Sequence, residues 1–492
     1  MSLRSKFLRG GMILSAGQVF SQGLSVLRNI LVARMIVTDA DFGIASTLIM
    51  VVAFNEMLTN LGMHTLVVQD RDGDLAEFLN TAHFVAFIRG IVGATSLLVI
   101  SYPLALVFGI PQSAWAFAVL AVIPLLRGLL HFDIHRLQRH HLFLPVVLQE
   151  TLGQAIALAA CVPFLRLFGD YSAVLYLLIF QTAAMTALSH LLAKTPYRWS
   201  RDHAAERRIM AFGVPLLLNG VAFFVISQGE RIAIGSSGQL FAAASYSMED
   251  MAALSVALMI ASLAPMFLTR ILSSLFVPLL SRVEDDRLMT RSAICTQAHA
   301  FGGGIVAIPL VLFGNGIVEF VFGHRYTTAG TIVVFASCSQ ALLALRCGAS
   351  VTLMSRGLTW DAFANTLWRS AAFPISLAAA STGCPVAWIA IPAIAGELLA
   401  IVVLARQLRS RCAIPLVETF LPLAIVVSGL GAACTLRLFA HAQMPRLIYV
   451  AVGFIAWCGF VSAWAMFFPE THRLIRSVLR RVTCRPAYQG SA

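Results

Sequence analysis

Residues 8–34 read LRGGMILSAGQVFSQGLSVLRNILVAR, and the class of the chain follows from this stretch. It is long enough to cross a bilayer as a helix, which takes about 20 residues. Its second half carries Arg28 and Arg34, and no acid lies between Arg9 and Asp39. An arginine at the centre of a membrane helix costs about 2.5–3.5 kcal/mol on insertion scales, so such residues face a water-filled cavity or a partner. Six residues of ideal helix give about 9 Å of rise and about 120° of rotation, which puts the two guanidiniums on one broad face. Paired arginines in an aqueous cavity match a phosphate or pyrophosphate, which accepts bidentate, charge-assisted hydrogen bonds. The competing reading is that Arg34 snorkels to the headgroups and Arg28 pairs with a buried acid.

The rest of the chain has the same character. Of its 492 residues 59% are hydrophobic and 12% charged, against about 25% charged in a soluble domain, so it is a polytopic all-α membrane protein. The net charge of +12 sits in short segments between apolar spans. That pattern is an orientation signal rather than a nucleic-acid footprint. The apolar run after Arg4, Lys6 and Arg9 is too long for the h-region of a cleavable signal peptide. Nine cysteines are scattered with no C-x-x-C, so neither a zinc site nor a disulfide framework is expected.

Hydropathy, bounded by charges, Gly and Pro, gives about 14 spans. They fall near 10–35, 42–68, 79–107, 113–131, 144–168, 172–193, 209–235, 240–280, 293–317, 328–353, 360–381, 385–405, 414–438 and 447–468. The stretch 240–280 reads as one long helix kinked at Pro265 in preference to two, since only Pro265 and Arg270 interrupt its middle. With the N-terminus inside, the outer loops hold only Arg166, Arg325 and Arg446. The positive-inside rule therefore places both termini in the cytoplasm. The acidic turn at 70–77 is the one inner segment that runs against the bias. All outer loops are short. That disfavours a membrane glycosyltransferase or polymerase, which needs an acidic catalytic group in a sizeable outer loop. No G-x-x-x-x-G-K-[ST] occurs, so ATP is not the direct energy source.

Three runs carry a family resemblance. Gly11, Gln18, Ser21 and the R-N-I-L-V-A-R run at 28–34 resemble the opening helix of the oligosaccharide flippases. Thr38-Asp39-Ala40-Asp41-Phe42-Gly43 resembles their acidic turn. Asn60-Leu61-Gly62-Met63-His64-Thr65-Leu66-Val67-Val68-Gln69 is similar to the end of their second helix. These flippases form the polysaccharide transport branch of the multidrug/oligosaccharidyl-lipid/polysaccharide exporter superfamily. The resemblance implies two six-helix lobes around a central cavity, at 1–193 and 209–411, joined by a basic cytoplasmic linker at 194–208. Two additional helices at 412–470 and a basic cytoplasmic tail at 471–492 would follow. It also implies alternating-access translocation of a polyprenyl-pyrophosphate-linked oligosaccharide, such as an exopolysaccharide or O-antigen repeat unit, across a bacterial inner membrane. Membrane lipids and other polysaccharide assembly proteins are the remaining implied partners; no cofactor, metal, nucleic acid or bond-breaking chemistry is implied. An internal echo supports two lobes: Gly11 precedes Arg28 by 17 residues, as Gly213 precedes Glu230 by 17, with Arg231 next.

The candidate headgroup-binding residues are Arg28, Arg34, Arg89, Arg231, Arg270 and Arg369. Arg89 and Arg369 lie near mid-span, whereas Arg127 and Arg346 lie towards inner ends and read as snorkelling. Ser227-Gln228-Gly229-Glu230-Arg231 resembles the family's acid–arginine pair in the seventh helix. Candidates for ion coupling are Glu56, Glu230, Glu249 and Asp250. Glu56, Asn60 and His64 recur at i, i+4, i+8 and so form one polar stripe on a helix. Glu249 and Asp250 depart from the family's uncharged pattern and otherwise read as outer-surface charges. An ion-coupled multidrug extruder of the same superfamily is the alternative function. Such pumps take cations with membrane-embedded acids, whereas this first span carries arginines.

Overall fold

The computed structural model describes residues 3–240, 246–281, 284–440 and 443–470. The expected basic tail at 471–492, the expected start of the eighth span at 241–245, and Arg282 lie outside the described residues. Among the described residues the chain is helical, with no strand. The first ten helices are α1 (Leu3–Met35), α2 (Asp39–Thr59), α3 (Met63–Gln69), α4 (Ala76–Val107), α5 (Ala114–Val119), α6 (Val122–Gly128), α7 (Asp133–Arg139), α8 (Leu144–Phe168), α9 (Ser172–Leu192) and α10 (His203–Leu240). Then come α11 (Met248–Leu280), α12 (Asp285–Phe322), α13 (Ala329–Ser355), α14 (Thr359–Ser370), α15 (Ala372–Ser381), α16 (Val386–Ile389), α17 (Ile391–Cys412), α18 (Val417–Ala440) and α19 (Arg446–Phe467).

Eleven described helices are long and apolar enough to cross a membrane, and a twelfth crossing is formed if the bent pair Pro111–Gly128 and Asp133–Arg139 counts as one. Against the expected 14, α1 and the α14–α15 pair fall short of this standard. Gln18, Gln22 and the arginines dilute α1, and α14 carries Asp361, Asn365 and Arg369 before the chain breaks at Ala371.

Local chemistry sets the helix ends. Thr38 caps α2 by accepting a hydrogen bond from the Asp41 amide at 3.0 Å. Asp39 and Asp41 in the first turn suit the positive end of the helix dipole. The second span is not the single helix expected over 42–68. It stops at Asn60, passes through Gly62 at φ +62° and restarts at Met63. A left-handed residue there favours glycine. The eighth span is one helix, unbroken through Pro265, but begins at Met248. Ser247 and Asp250 form a reciprocal cap: the Asp250 amide donates to Ser247 Oγ at 3.2 Å and the Ser247 amide to Asp250 Oδ2 at 3.0 Å.

The chain divides into two compact units. The first comprises Met1–Ser255 with Val321–Arg325 and Leu377–Val386. Its core joins Leu48 and Val51 of α2, Leu97 of α4, Phe117, Ile123 of α6 and Leu175 of α9. Helix α4 meets α6 at glycines: a Cβ on Gly90 would stand 2.7 Å from the Pro124 carbonyl oxygen, the close approach that small residues allow in membranes. At Gly43 a Cβ would collide with the Met248 carbonyl, so the Phe-Gly of the acidic turn marks a backbone contact between the starts of α2 and α11. The acids of the turn at 70–77 are neutralised locally. Arg208 lies 2.6 Å from Asp72 and 3.3 Å from Asp70, and Arg139 lies 3.0 Å from Asp74.

The second unit comprises Val256–Phe320, Tyr326–Ser376 and Ala387–Ala492. Its core joins Ile308 and Val311 of α12, Leu342 and Leu345 of α13, Ile401 of α17, Val426 of α18 and Phe460 and Trp464 of α19. The last two helices are thus integral to this packing. Their other faces are apolar and open; Leu447 is 85% and Met466 82% exposed, as lipid contact requires.

Candidate functional site

Arg28 sits in the second half of α1, only 8% exposed, against α8 and α9. Its Nη1 donates to Gln181 Oε1 and, at 3.5 Å, to Gln154 Oε1. Its Nη2 donates to Asn29 Oδ1 at 3.2 Å and Ser25 Oγ at 3.5 Å. No acid pairs with it among the described residues. The buried acid that the sequence offered as its alternative partner is replaced by amides. These satisfy its donors without cancelling its charge. Arg34, six residues on, is exposed and donates from Nε to the Val321 carbonyl at 2.6 Å. These partners differ in kind: side-chain amides for Arg28 and a backbone carbonyl for Arg34.

A cavity of about 310 Å³ lies elsewhere in the first unit. Its walls come from the end of α2 and the start of α3, from α4, α6 and α7, and from α8. Two helix breaks form its rim: the one at Asn60–Gly62, and the 47° bend between α6 and α7. Irregular backbone at membrane depth is tolerated where it lines such a cavity. Glu56, Asn60 and His64 all line it, although the break means they are not one stripe on a continuous helix.

Two arginines face this cavity. Arg127 Nη1 lies 2.5 Å from Glu56 Oε2, each side chain just over a third exposed, so Arg127 is paired where a snorkelling side chain was expected. Arg89 has Arg127 and Glu56 as its charged neighbours and makes no hydrogen bond or ion pair with a described residue. The imidazoles of His64 and His135 face each other with ring centroids 5.8 Å apart, and Gln149 and Glu150 complete the polar wall. Asn55 fastens α2 to α4 through Gly93 O at 3.0 Å and Ser96 Oγ at 3.3 Å.

The remaining candidates fall in other places. Arg231 on α10 donates to Gln228 Oε1 at 2.7 Å and Ser255 Oγ at 3.2 Å rather than pairing with the adjacent Glu230, which is buried. Asp250 is engaged in capping α11 and Glu249 is exposed in the same first turn. In the second unit Arg270 is exposed on α11 without a partner among the described residues. Arg369, expected to face a cavity, is buried and donates to Glu397 at 2.6 Å; Arg346, expected to snorkel, is buried and donates to the same carboxylate at 2.7 Å.

Sequence reasoning missed the amide cradle of Arg28 and the Glu56–Arg127 pair. The available signal was polarity alone: Gln154 follows the polar run Gln149-Glu150-Thr151 of α8, and Gln181 stands in the largely apolar α9. Which helices touch, and hence which polar residues meet, is not encoded in hydropathy.

Residues 31–331 match the sequence profile of a family described as "Polysaccharide biosynthesis protein". No curated protein sequence matches the chain. Among solved structures it is similar to the lipid II flippase MurJ in an inward closed conformation, at 11% identity and a TM-score of 0.72, over 93% of this chain and 100% of that one. An inward-facing multidrug resistance MATE family transporter of the MOP superfamily is also similar, at 13% identity and TM-score 0.64, over 80% and 94%. So is a MOP superfamily transporter from Pyrococcus furiosus, at 14% identity and TM-score 0.51, over 82% and 95%. These likenesses establish a shared fold.

Proposed function

Since the chain belongs to the polysaccharide biosynthesis protein family, whose profile covers residues 31–331, we propose that it is a flippase that moves a polyprenyl-pyrophosphate-linked oligosaccharide across a bacterial inner membrane. The observation that carries this reading is Arg28. It is a buried guanidinium whose partners are all neutral, so its full charge is available to an anion. A buried cation without a counter-charge is costly unless its role needs it. Pyrophosphate is the headgroup chemistry that such a cation recognises. The similarity in fold to a lipid II flippase supports the same substrate class.

In this reading Arg28 attracts the headgroup, with Arg231 and Arg89 as further cationic contacts and Arg34 and Arg270 as exposed cations on its route. The polyprenyl tail stays in lipid. Lobes at 1–193 and 209–411 rock to give alternating access, with both termini in the cytoplasm. Glu56, beside two arginines, is the proposed coupling acid, with Glu230, Glu249 and Asp250 as weaker candidates. The test is reconstitution: proteoliposomes bearing the protein should translocate a polyprenyl-pyrophosphate oligosaccharide and leave cationic dyes in place. Dye efflux without glycolipid movement would favour a multidrug extruder.

A further inference from the structure

In the second unit one carboxylate serves two guanidiniums. Glu397 on α17 accepts from Arg346 Nε of α13 at 2.7 Å through one oxygen and from Arg369 Nε of α14 at 2.6 Å through the other. Arg346 also donates to Asn365 Oδ1 at 3.3 Å, and Asn365 is oriented for this by donating its amide to Ala400 O at 2.6 Å. All four residues are buried, with Glu397 and Asn365 each 1% exposed.

The charge of this cluster does not close. Arginine stays protonated in proteins, and a single glutamate supplies at most one negative charge. The cluster therefore holds two positive charges and one negative. Protonating Glu397 would only enlarge the excess. Neither arginine forms an ion pair with any other described carboxylate. Arg369 spends only Nε on a described acceptor; Nη1 and Nη2 have none. Arg369 lies in the last turn of α14, whose dipole offers at most about half a negative charge. An uncompensated unit charge within a bundle of apolar helices calls for a counter-ion.

We propose that the terminal nitrogens of Arg369 hold a small monovalent inorganic anion of chloride type, which neutralises the Arg346–Glu397–Arg369 cluster. Arg369 as a whole is only 6% exposed, which favours a small inorganic ion over a phosphate ester or a lipid headgroup. The site is independent of the flippase reading.

The test uses the purified full-length protein in detergent, titrated with sodium chloride or bromide against sodium gluconate at constant ionic strength. Thermal unfolding followed by intrinsic fluorescence should shift upwards with chloride and bromide, saturably, and not with gluconate. In Arg369→Gln the cluster is neutral, and the saturable shift should vanish or its midpoint rise by at least about tenfold, the loss of one charge-assisted hydrogen bond. No anion dependence in the wild type, or the same midpoint in Arg369→Gln, would overturn the proposal. If Arg369→Gln does not fold, anomalous scattering from wild-type crystals grown in bromide decides: a peak beside Arg369 supports the site, and its absence there overturns it.

Discussion

Glu56 and Arg127 form an ion pair of 2.5 Å across α2 and α6, with Arg89 of α4 as the third charge of the group. The cavity beside them thus contains a pair that is already neutral and a second arginine without a direct partner. Each side chain of the pair is more than a third exposed, so water screens it and its contribution to stability is small. A double-mutant cycle with Glu56→Gln and Arg127→Gln, read by thermal unfolding, should give a coupling of about 1 kcal/mol or less. A coupling several times larger would mean that the cavity is dry.

Glu397 is the opposite case. It is buried beneath Arg346 and Arg369, and its removal leaves two buried cations with no acid. Glu397→Gln should destabilise the protein by about 3–5 kcal/mol. The measurement is the thermal midpoint of the purified variant, or its folded yield if it aggregates. A midpoint within a degree or two of wild type would show that the carboxylate is not structurally required.

Gly43 and Gly23 make a matched pair. A methyl group on Gly43 would collide with the Met248 backbone, whereas nothing lies within 4 Å of one on Gly23. Gly43→Ala should lower folded yield and thermal midpoint sharply. Gly23→Ala should be neutral or stabilising by up to about 1 kcal/mol, the difference in helix propensity. Size-exclusion profiles and melting curves of the two variants check this directly.

His83 holds the break between α6 and α7 to the linker before α10. Its Nε2 accepts from the Phe132 amide at 3.1 Å, so the proton is on Nδ1, which donates to Arg198 O at 3.3 Å. The residue is fully buried. His83→Leu keeps the volume but orphans the Phe132 amide, at a cost of about 1–3 kcal/mol. Proteolytic nicking of 193–202 should also become faster, since the linker loses a tether.

The class of the fold was legible from hydropathy alone, because each apolar run must satisfy its own backbone as a helix. The helix breaks were less so. Gly62 was visible, but the adjoining apolar residues on both sides hid the interruption, and nothing in the apolar run of residues 113–131 announced the bend before Asp133. The cap of α11 was legible in Ser247-Met248-Glu249-Asp250, where Ser247 stands at the N-cap and Asp250, three residues on, closes the capping box. For the candidate site, the residue types were legible and their partners were not. Arg28 stood out in α1, but an amide cradle from α8 and α9 depends on tertiary packing. Arg346 and Arg369 were read separately because only the fold brings both to Glu397.

The central claim is that the uncompensated charge of Arg28 receives an anionic, pyrophosphate-linked glycolipid. The most direct measurement is translocation of a polyprenyl-pyrophosphate oligosaccharide in proteoliposomes, comparing wild type with Arg28→Gln and Arg28→Lys at matched protein levels and confirmed folding. The account predicts rapid transport by wild type, loss in Arg28→Gln, and partial retention in Arg28→Lys, which keeps the charge but not the fork of donors. Undiminished transport by a folded Arg28→Gln would contradict it.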